Sequence, residues 1–151
     1  IGFDRLTEAL VAGIARAKDL DGEFLATTRA YSKFAEDYPE HFRIMFRDDL
    51  LATDSVVLRL ATQRTLTELT NVILRQRGET EIIVDEFTDF PKMEDLIDDI
   101  VLGWCHIHGF AHLKLEHQFP VVSKSMEQRI IKSSSSRLAR IIRRDAIPAH
   151  D

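Results

Sequence analysis

The chain has 151 residues, 44% of them hydrophobic and 30% charged, with a formal net charge of -5. That length suits one domain able to bury roughly 70% of its unfolded surface, and the negative charge argues against bulk nucleic-acid binding by these residues alone. The one cysteine, Cys105, excludes an internal disulfide, and no apolar run approaches the ~20 residues that span a bilayer.

Residues 3 to 18 place Phe3, Leu6, Leu10, Val11, Ile14 and Ala17 at helical spacing. Asp21 and Gly22 interrupt the pattern, and Asp21 is positioned to cap the next helix by accepting its free amides. That helix carries Phe24, Thr28, Tyr31, Phe34, Ala35 and Tyr38. Pro39 ends it and suits the first turn of another, where a missing amide hydrogen costs nothing. The short helix so opened runs to about Arg47 and presents Phe42, Met45 and Phe46, followed by a connection over Asp48 to Thr53.

A long helix is expected from Thr53 to Arg77, capped by Thr53 or Ser55 and stopped by Gly78. Val57, Leu60, Ala61, Leu66, Leu69, Val72 and Ile73 supply its apolar surface. The period is then lost from Glu79 to Lys92. Ile82, Ile83 and Val84 have strand character, but no partner strand is evident, so this reads as an irregular acidic loop.

Pro91 precedes the most apolar segment, IVLGWCHIHGFAHLKL over Ile100 to Leu115, about which the chain is expected to be organised. Leu96, Ile97, Ile100, Val101, Trp104, His108, Ala111 and Leu115 form one stripe, and Leu102, Cys105, Phe110 and Leu113 extend apolar surface around the rest. A helix apolar nearly all round is buried from more than one side, here by its own domain and by a partner subunit. Gly103 and Gly109 allow close approach of a neighbour. Cys105 reads as a small core residue, and Glu94, Asp95, Asp98 and Asp99 suit the positive end of the helix dipole.

Pro120 closes that segment. Val122, Met126, Ile130, Ser134, Leu138, Ile141 and Ile142 then make a seam at three- and four-residue steps, with the tail from Asp145 frayed. Ser133 to Ser136 marks either a close helix crossing or a break, and helix propensity favours continuity. With no convincing alternation at period two, the class is all-α: an antiparallel bundle of about six helices, treated as one domain over 1–151.

Two motifs carry a family resemblance. AYSKFAEDYPEHFRIMF, from Ala30 to Phe46, resembles the helix pair that follows the DNA-binding domain in TetR/AcrR-type repressors. Trp104, His108 and Gly109 are similar to the Trp…His-Gly signature of a WHG-type C-terminal domain. The resemblance covers nearly the whole chain in helix order. It implies an effector-binding and homodimerisation domain, cytoplasmic, whose ligand shifts the opening helix. The family also carries an N-terminal helix-turn-helix of about fifty residues, and no recognition helix occurs in this chain. Operator DNA is therefore expected to be a partner only through that missing domain, and no membrane partner is expected.

Four constellations bear on function. Tyr31, Phe34, Phe42, Met45, Phe46, Trp104 and His108, with Tyr38 as a further buried polar group, have the make-up of a small-molecule cavity. The seam residues Met126, Ile130, Ser134, Leu138 and Ile141, with the outer face of the 100–115 helix, suit an isologous dimer. His108, His112 and Glu116 share one helical face at metal-ligand spacing, but lack the HExxH pattern. The competing reading has His108 bonded to a backbone carbonyl, and no metal or other cofactor is expected. Finally, Lys124, Arg129, Lys132, Arg137, Arg140, Arg143 and Arg144 make the last helix basic, a solvated face with local pairing that can also meet the acidic 79–99 region across a dimer. No nucleophile sits on a tight turn and no phosphate-cradling glycine loop is present, which argues against an enzyme. A purely structural dimerisation module and a small metal-binding helical protein remain alternatives.

Overall fold

A computed structural model describes residues 1–47, 49–51, 55–84, 94–118 and 123–144. Six helices follow in order: α1 (Gly2–Ile14), α2 (Leu20–Asp37), α3 (Pro39–Met45), α4 (Val56–Arg77), α5 (Glu94–Leu115) and α6 (Lys124–Arg143). No strand occurs among the described residues, so the chain is all-α as its periodicity indicates.

Local chemistry sets most of the boundaries. The α2 cap is Asp19 and not Asp21, its carboxylate accepting the Gly22 amide at 2.7 Å. Tyr38 both ends α2 and begins α3, with Pro39 at the first position. Ser55 caps α4 through the Leu58 amide, and Gly78 stops it in the left-handed conformation at φ 71°. The serine tract does not break α6, which is continuous through it. The expected cap Thr53, the turn at Pro91, Pro120 and Val122, and the tail from Asp145 lie outside the described residues.

The organising helix is α2, not α5, since α1, α3, α4, α5 and α6 all pack against it. Its sequence hides that role because its buried face is partly hydroxylic. Thr27 and Thr28 are fully buried, yet each returns its hydroxyl to its own helix, at 2.8 Å to Glu23 O and 3.0 Å to Phe24 O. A hydroxyl satisfied in this way can enter a core without leaving an unpaired donor.

The loop after α4 is anchored in an unexpected way. The Asn71 amide donates to Ile82 O at 3.0 Å and accepts from Ile82 N at 2.9 Å, and the Thr67 hydroxyl accepts from Val84 N at 3.0 Å. Side chains of α4 thus hold residues 82–84 in place of a strand partner.

The buried face of α5 is turned from the expected stripe. Leu96, Ile100, Gly103, Ile107, Phe110 and Ala111 face inward, whereas Ile97, Val101, Leu102 and Leu113 are exposed. Cys105 is exposed, correcting its reading as a core residue. Gly103 is the close-approach site: an added Cβ would meet Ile73 Cδ1 at 2.5 Å. Gly109 lies open, with nothing within 4 Å of such an atom. Val57 and Leu60 are also exposed, lying on the outward side of α4 while Leu58 and Ala61 pack inward.

At one pole, charged side chains join four helix ends. Asp99 accepts from Arg77 at 2.5 Å and from Arg144 at 3.2 Å. Arg143 reaches Asp21 at 2.6 Å and Gln76 at 2.8 Å, while Gln76 donates to Leu20 O at 2.6 Å. The basic end of α6 therefore meets the acidic start of α5 within the subunit.

Candidate functional site

The aromatic residues converge where α2, α3 and α5 meet. Pro39 turns the chain so that α3 brings Phe42 back over α2. Phe42 lies edge-on to Tyr31, ring centroids 5.8 Å apart, and stacks on His108 at 5.3 Å. Phe46 meets Phe42 at 5.5 Å and His108 at 4.6 Å. Phe3 of α1 joins from the other side, 5.8 Å from Phe46. These edge-on and stacked contacts are geometries that ring quadrupoles favour.

Of the seven residues expected to line a ligand cavity, Tyr31, Phe42, Phe46 and His108 form this cluster, with Trp104 against Tyr31. Phe34 is buried but turns away to Tyr38, 5.4 Å between centroids. Met45 lies beneath Gly2 at the start of α1. Tyr38 is not a buried polar group: its ring is partly exposed, with the Arg5 guanidinium 4.9 Å above it.

Two polar groups of the cluster are hydrogen-bonded to each other: the Tyr31 hydroxyl lies 2.9 Å from His108 Nδ1, with the Trp104 indole beside it. Burial holds Tyr31 protonated far above the ordinary phenol range, and burial followed by the neighbouring His112 keeps His108 below the ordinary imidazole range. The partner of His108 is thus a side-chain hydroxyl and not the backbone carbonyl expected from sequence.

Glu116, the third residue of the possible metal set, pairs with Arg43 Nε at 2.9 Å. Among the described residues no three His, Cys, Asp or Glu side chains gather at metal-binding distance. His106, one helical face away, stacks on Phe24 and lies 3.3 Å from the Ser135 hydroxyl, which donates to Thr28 at 3.4 Å. Burial lowers the pKa of His106 as well. The close crossing within the serine tract is therefore at Ser135 against α2, and not at Ser134.

Both depressed histidines make stability depend on pH. Their value in the unfolded chain is the ordinary imidazole 6.5 and in the folded state it lies below that, so the unfolded chain binds more protons in between. Their contribution is whole above about pH 6.5 and is lost as pH falls below that. Urea midpoints are expected to drop between pH 7.5 and 5.5, and less steeply in His106→Gln and His108→Gln. Equal drops in wild type and both variants would remove this explanation.

Of the expected dimer seam, Leu138 belongs to the subunit's own core at 8% exposure, whereas Ile141 is 51% exposed and Met126, Ile130 and Ser134 are half-buried. The inward face of α6 is Ile131, Ser135, Leu138, Ala139 and Ile142. Val101, Leu102, Cys105, Gly109 and Leu113 give α5 an outward face of apolar and small residues.

Among the described residues no helix is long and apolar enough to cross a membrane. Compared with known families, residues 24–132 match the model described as tetracyclin repressor-like, C-terminal domain. No curated protein and no solved structure matches the chain. The matched span runs from Phe24 in α2 to Lys132 in α6, just before the serine tract, and so contains the whole aromatic cluster except Phe3.

Proposed function

The chain belongs to the tetracyclin repressor-like C-terminal domain family, and from that premise we propose that it senses a small, largely apolar effector and pairs with a second copy of itself. The role is regulatory and not catalytic, exercised in the cytoplasm on DNA binding by a helix-turn-helix domain in the longer protein. The observation that carries the reading is the buried Tyr31–His108 hydrogen bond set among Phe42 and Phe46. An apolar wall with one oriented polar group gives a ligand both burial and orientation.

Occupancy of this cluster would act on Phe46 and, through it, on Phe3 in the first turns of α1. Movement of α1 in both copies would reset the spacing of two DNA-binding units, which must match half-sites about one DNA turn apart. Such a switch needs differential affinity for two states, typically ~1–3 kcal/mol. Trp104 is the only tryptophan, so its emission reports on this site directly. Titration with apolar aromatic compounds is expected to change that emission saturably, and a ligand at 100 times its Kd should add ~2.7 kcal/mol to stability. Emission unmoved by every compound that stabilises the protein would place the effector elsewhere.

The outward faces of α5 and α6 support homodimerisation as a two-fold four-helix contact. Val101 is 48% exposed and Leu102 43%, and Cys105 and Gly109 beside them permit close approach. Val101→Glu is expected to convert a dimer to a monomer in sedimentation velocity while leaving helix content unchanged, since its side chain is not needed in the subunit core. An unaltered dimer would exclude this face.

A further inference from the structure

We propose that the groove between the outward sides of α1 and α2 docks one amphipathic helix of a partner protein, with acidic residues flanking that helix's apolar ridge. None of the lining residues belongs to the aromatic cluster or to the outward faces of α5 and α6, so the proposal stands apart from the effector and dimer readings above. From Ala9 to Ala15 the chain carries no polar side chain, yet Ala12 is exposed in the groove and Val11 is exposed next to it. On the opposite wall Leu25, Ala26 and Ala30 of α2 are half-buried. An apolar strip with a charged rim marks a surface for contact with another protein.

The shape fits a helix. Gly13 lets α1 and α2 cross closely, since an added Cβ would lie 3.3 Å from Ala30 Cβ and 3.4 Å from Ala26 O. The small side chains around this crossing leave a hollow of about 1070 Å³, above the range of roughly 300–1,000 Å³ for small-molecule sites. It follows α1 from Arg5 to Ala17 and α2 from Gly22 to Tyr38, lengths of ~18 and ~24 Å at ~1.5 Å per residue. A helix of about 12–16 residues spans that distance. Walls of alanine and glycine let its ridge settle at the short end of the ~8–10 Å range of interaxial distances, the helix-in-groove mode of recognition.

The rim sets the sign of the partner. Five basic side chains line the groove against three acidic ones, in a chain whose net charge is -5. Two of the three acids are already engaged, Asp37 with Lys33 at 2.8 Å and Asp19 with the Gly22 amide at 2.7 Å; Glu8 is the third. Arg16, Lys18 and Arg29 are exposed and have no ion pair among the described residues. Arg16 follows Gly13 by one turn and Arg29 stands between Ala26 and Ala30, so cations flank the crossing on both helices. Carboxylates along the edges of a docked ridge would complement them, whereas a basic helix would meet like charge. The apolar floor separates this groove from a polyanion site, because a phosphate backbone has nothing to bury there.

The test uses the full chain labelled with ¹³C at its alanine methyl groups and two synthetic helical peptides of about 16 residues, the length the groove accepts. Both carry a ridge of leucines at helical spacing; one has glutamates along each side of it and the other lysines. The glutamate peptide is expected to bind saturably, at least about tenfold tighter than its lysine twin, and less tightly as salt is raised. The methyl signals of Ala9, Ala12, Ala26 and Ala30 should shift, and that of the fully buried Ala139 should not. Arg16→Glu together with Arg29→Glu should abolish the preference or reverse it. Ala12→Trp, or Ala9→Leu if the first variant does not fold, should block the groove and remove binding. No saturable binding of the glutamate peptide, equal binding of the lysine peptide, or shifts confined to other alanines overturns the proposal. Self-association broken by the two arginine reversals would give the groove to a second copy, and tighter binding to phosphatidylglycerol vesicles would give it to a membrane surface; either result also overturns it.

Discussion

Replacing Asp99 with alanine is expected to cost the fold about 3–5 kcal/mol, the range for removing one partner of a buried ion pair. Arg77 and Asp99 are nearly enclosed, with side-chain exposures of 9% and 13%. Arg144 also holds Asp99 but is 54% exposed, so solvent screens much of that second contact. The large term is the loss of the enclosed contact between the Asp99 carboxylate and the Arg77 guanidinium. This pair joins the end of α4 to the start of α5, and Arg144 extends it to the cap of α6. Asp99→Asn keeps the shape but removes the charge, and should lie between wild type and alanine in guanidinium denaturation. A loss below about 1 kcal/mol for Asp99→Ala would show the pole to be a surface feature in energetic terms.

Phe42→Ala should destabilise by a similar amount, about 3–5 kcal/mol, the usual cost of deleting a buried aromatic ring. Phe42 is 2% exposed and its ring contacts Tyr31, Phe46 and His108. Its removal opens a cavity at the centre of the cluster and takes away the stacking partner that orients His108. Collapse of the site would lower the cost toward the bottom of the range, because cavity energy scales with the volume that remains. Phe42→Leu should recover much of the loss. Equal destabilisation by both variants would mean that ring stacking, and not volume, supports the cluster. By contrast, Trp104 is only partly buried against this core, so Trp104→Ala should cost less than Phe42→Ala in the same denaturation assay. A larger loss at Trp104 would place the weight of the cluster on the indole.

Much of the architecture was legible in short stretches of sequence because it depends on neighbours along the chain. Pro39 divides α2 from α3 through its fixed φ and missing amide hydrogen, Gly78 ends α4 because a left-handed residue is needed there, and Ser55 begins it by capping a free amide. The placing of Asp19 as the α2 cap was missed because Asp19 and Asp21 are chemically equivalent candidates two residues apart, and only the backbone path selects between them. The Trp104, His108 and Tyr31 combination was visible as a set of residue types, although the hydrogen bond between Tyr31 and His108 spans 77 positions.

The inward face of α5 was decided in three dimensions. A helix apolar on most sides has no strong preference of its own, so Gly103 against Ile73 and the packing of α2 set its rotation, leaving Val101, Leu102 and Cys105 outside. For the same reason the hydroxyl-bearing α2 became the hub: Thr27 and Thr28 are polar by composition but satisfied once helical. The Asn71 clamp on Ile82 likewise arises from groups distant in sequence. Along the chain, helix starts, stops and aromatic content follow from local backbone chemistry. Which faces touch, which rings meet and where space is left follow from packing between segments, because those energies depend on contacts that no single segment contains.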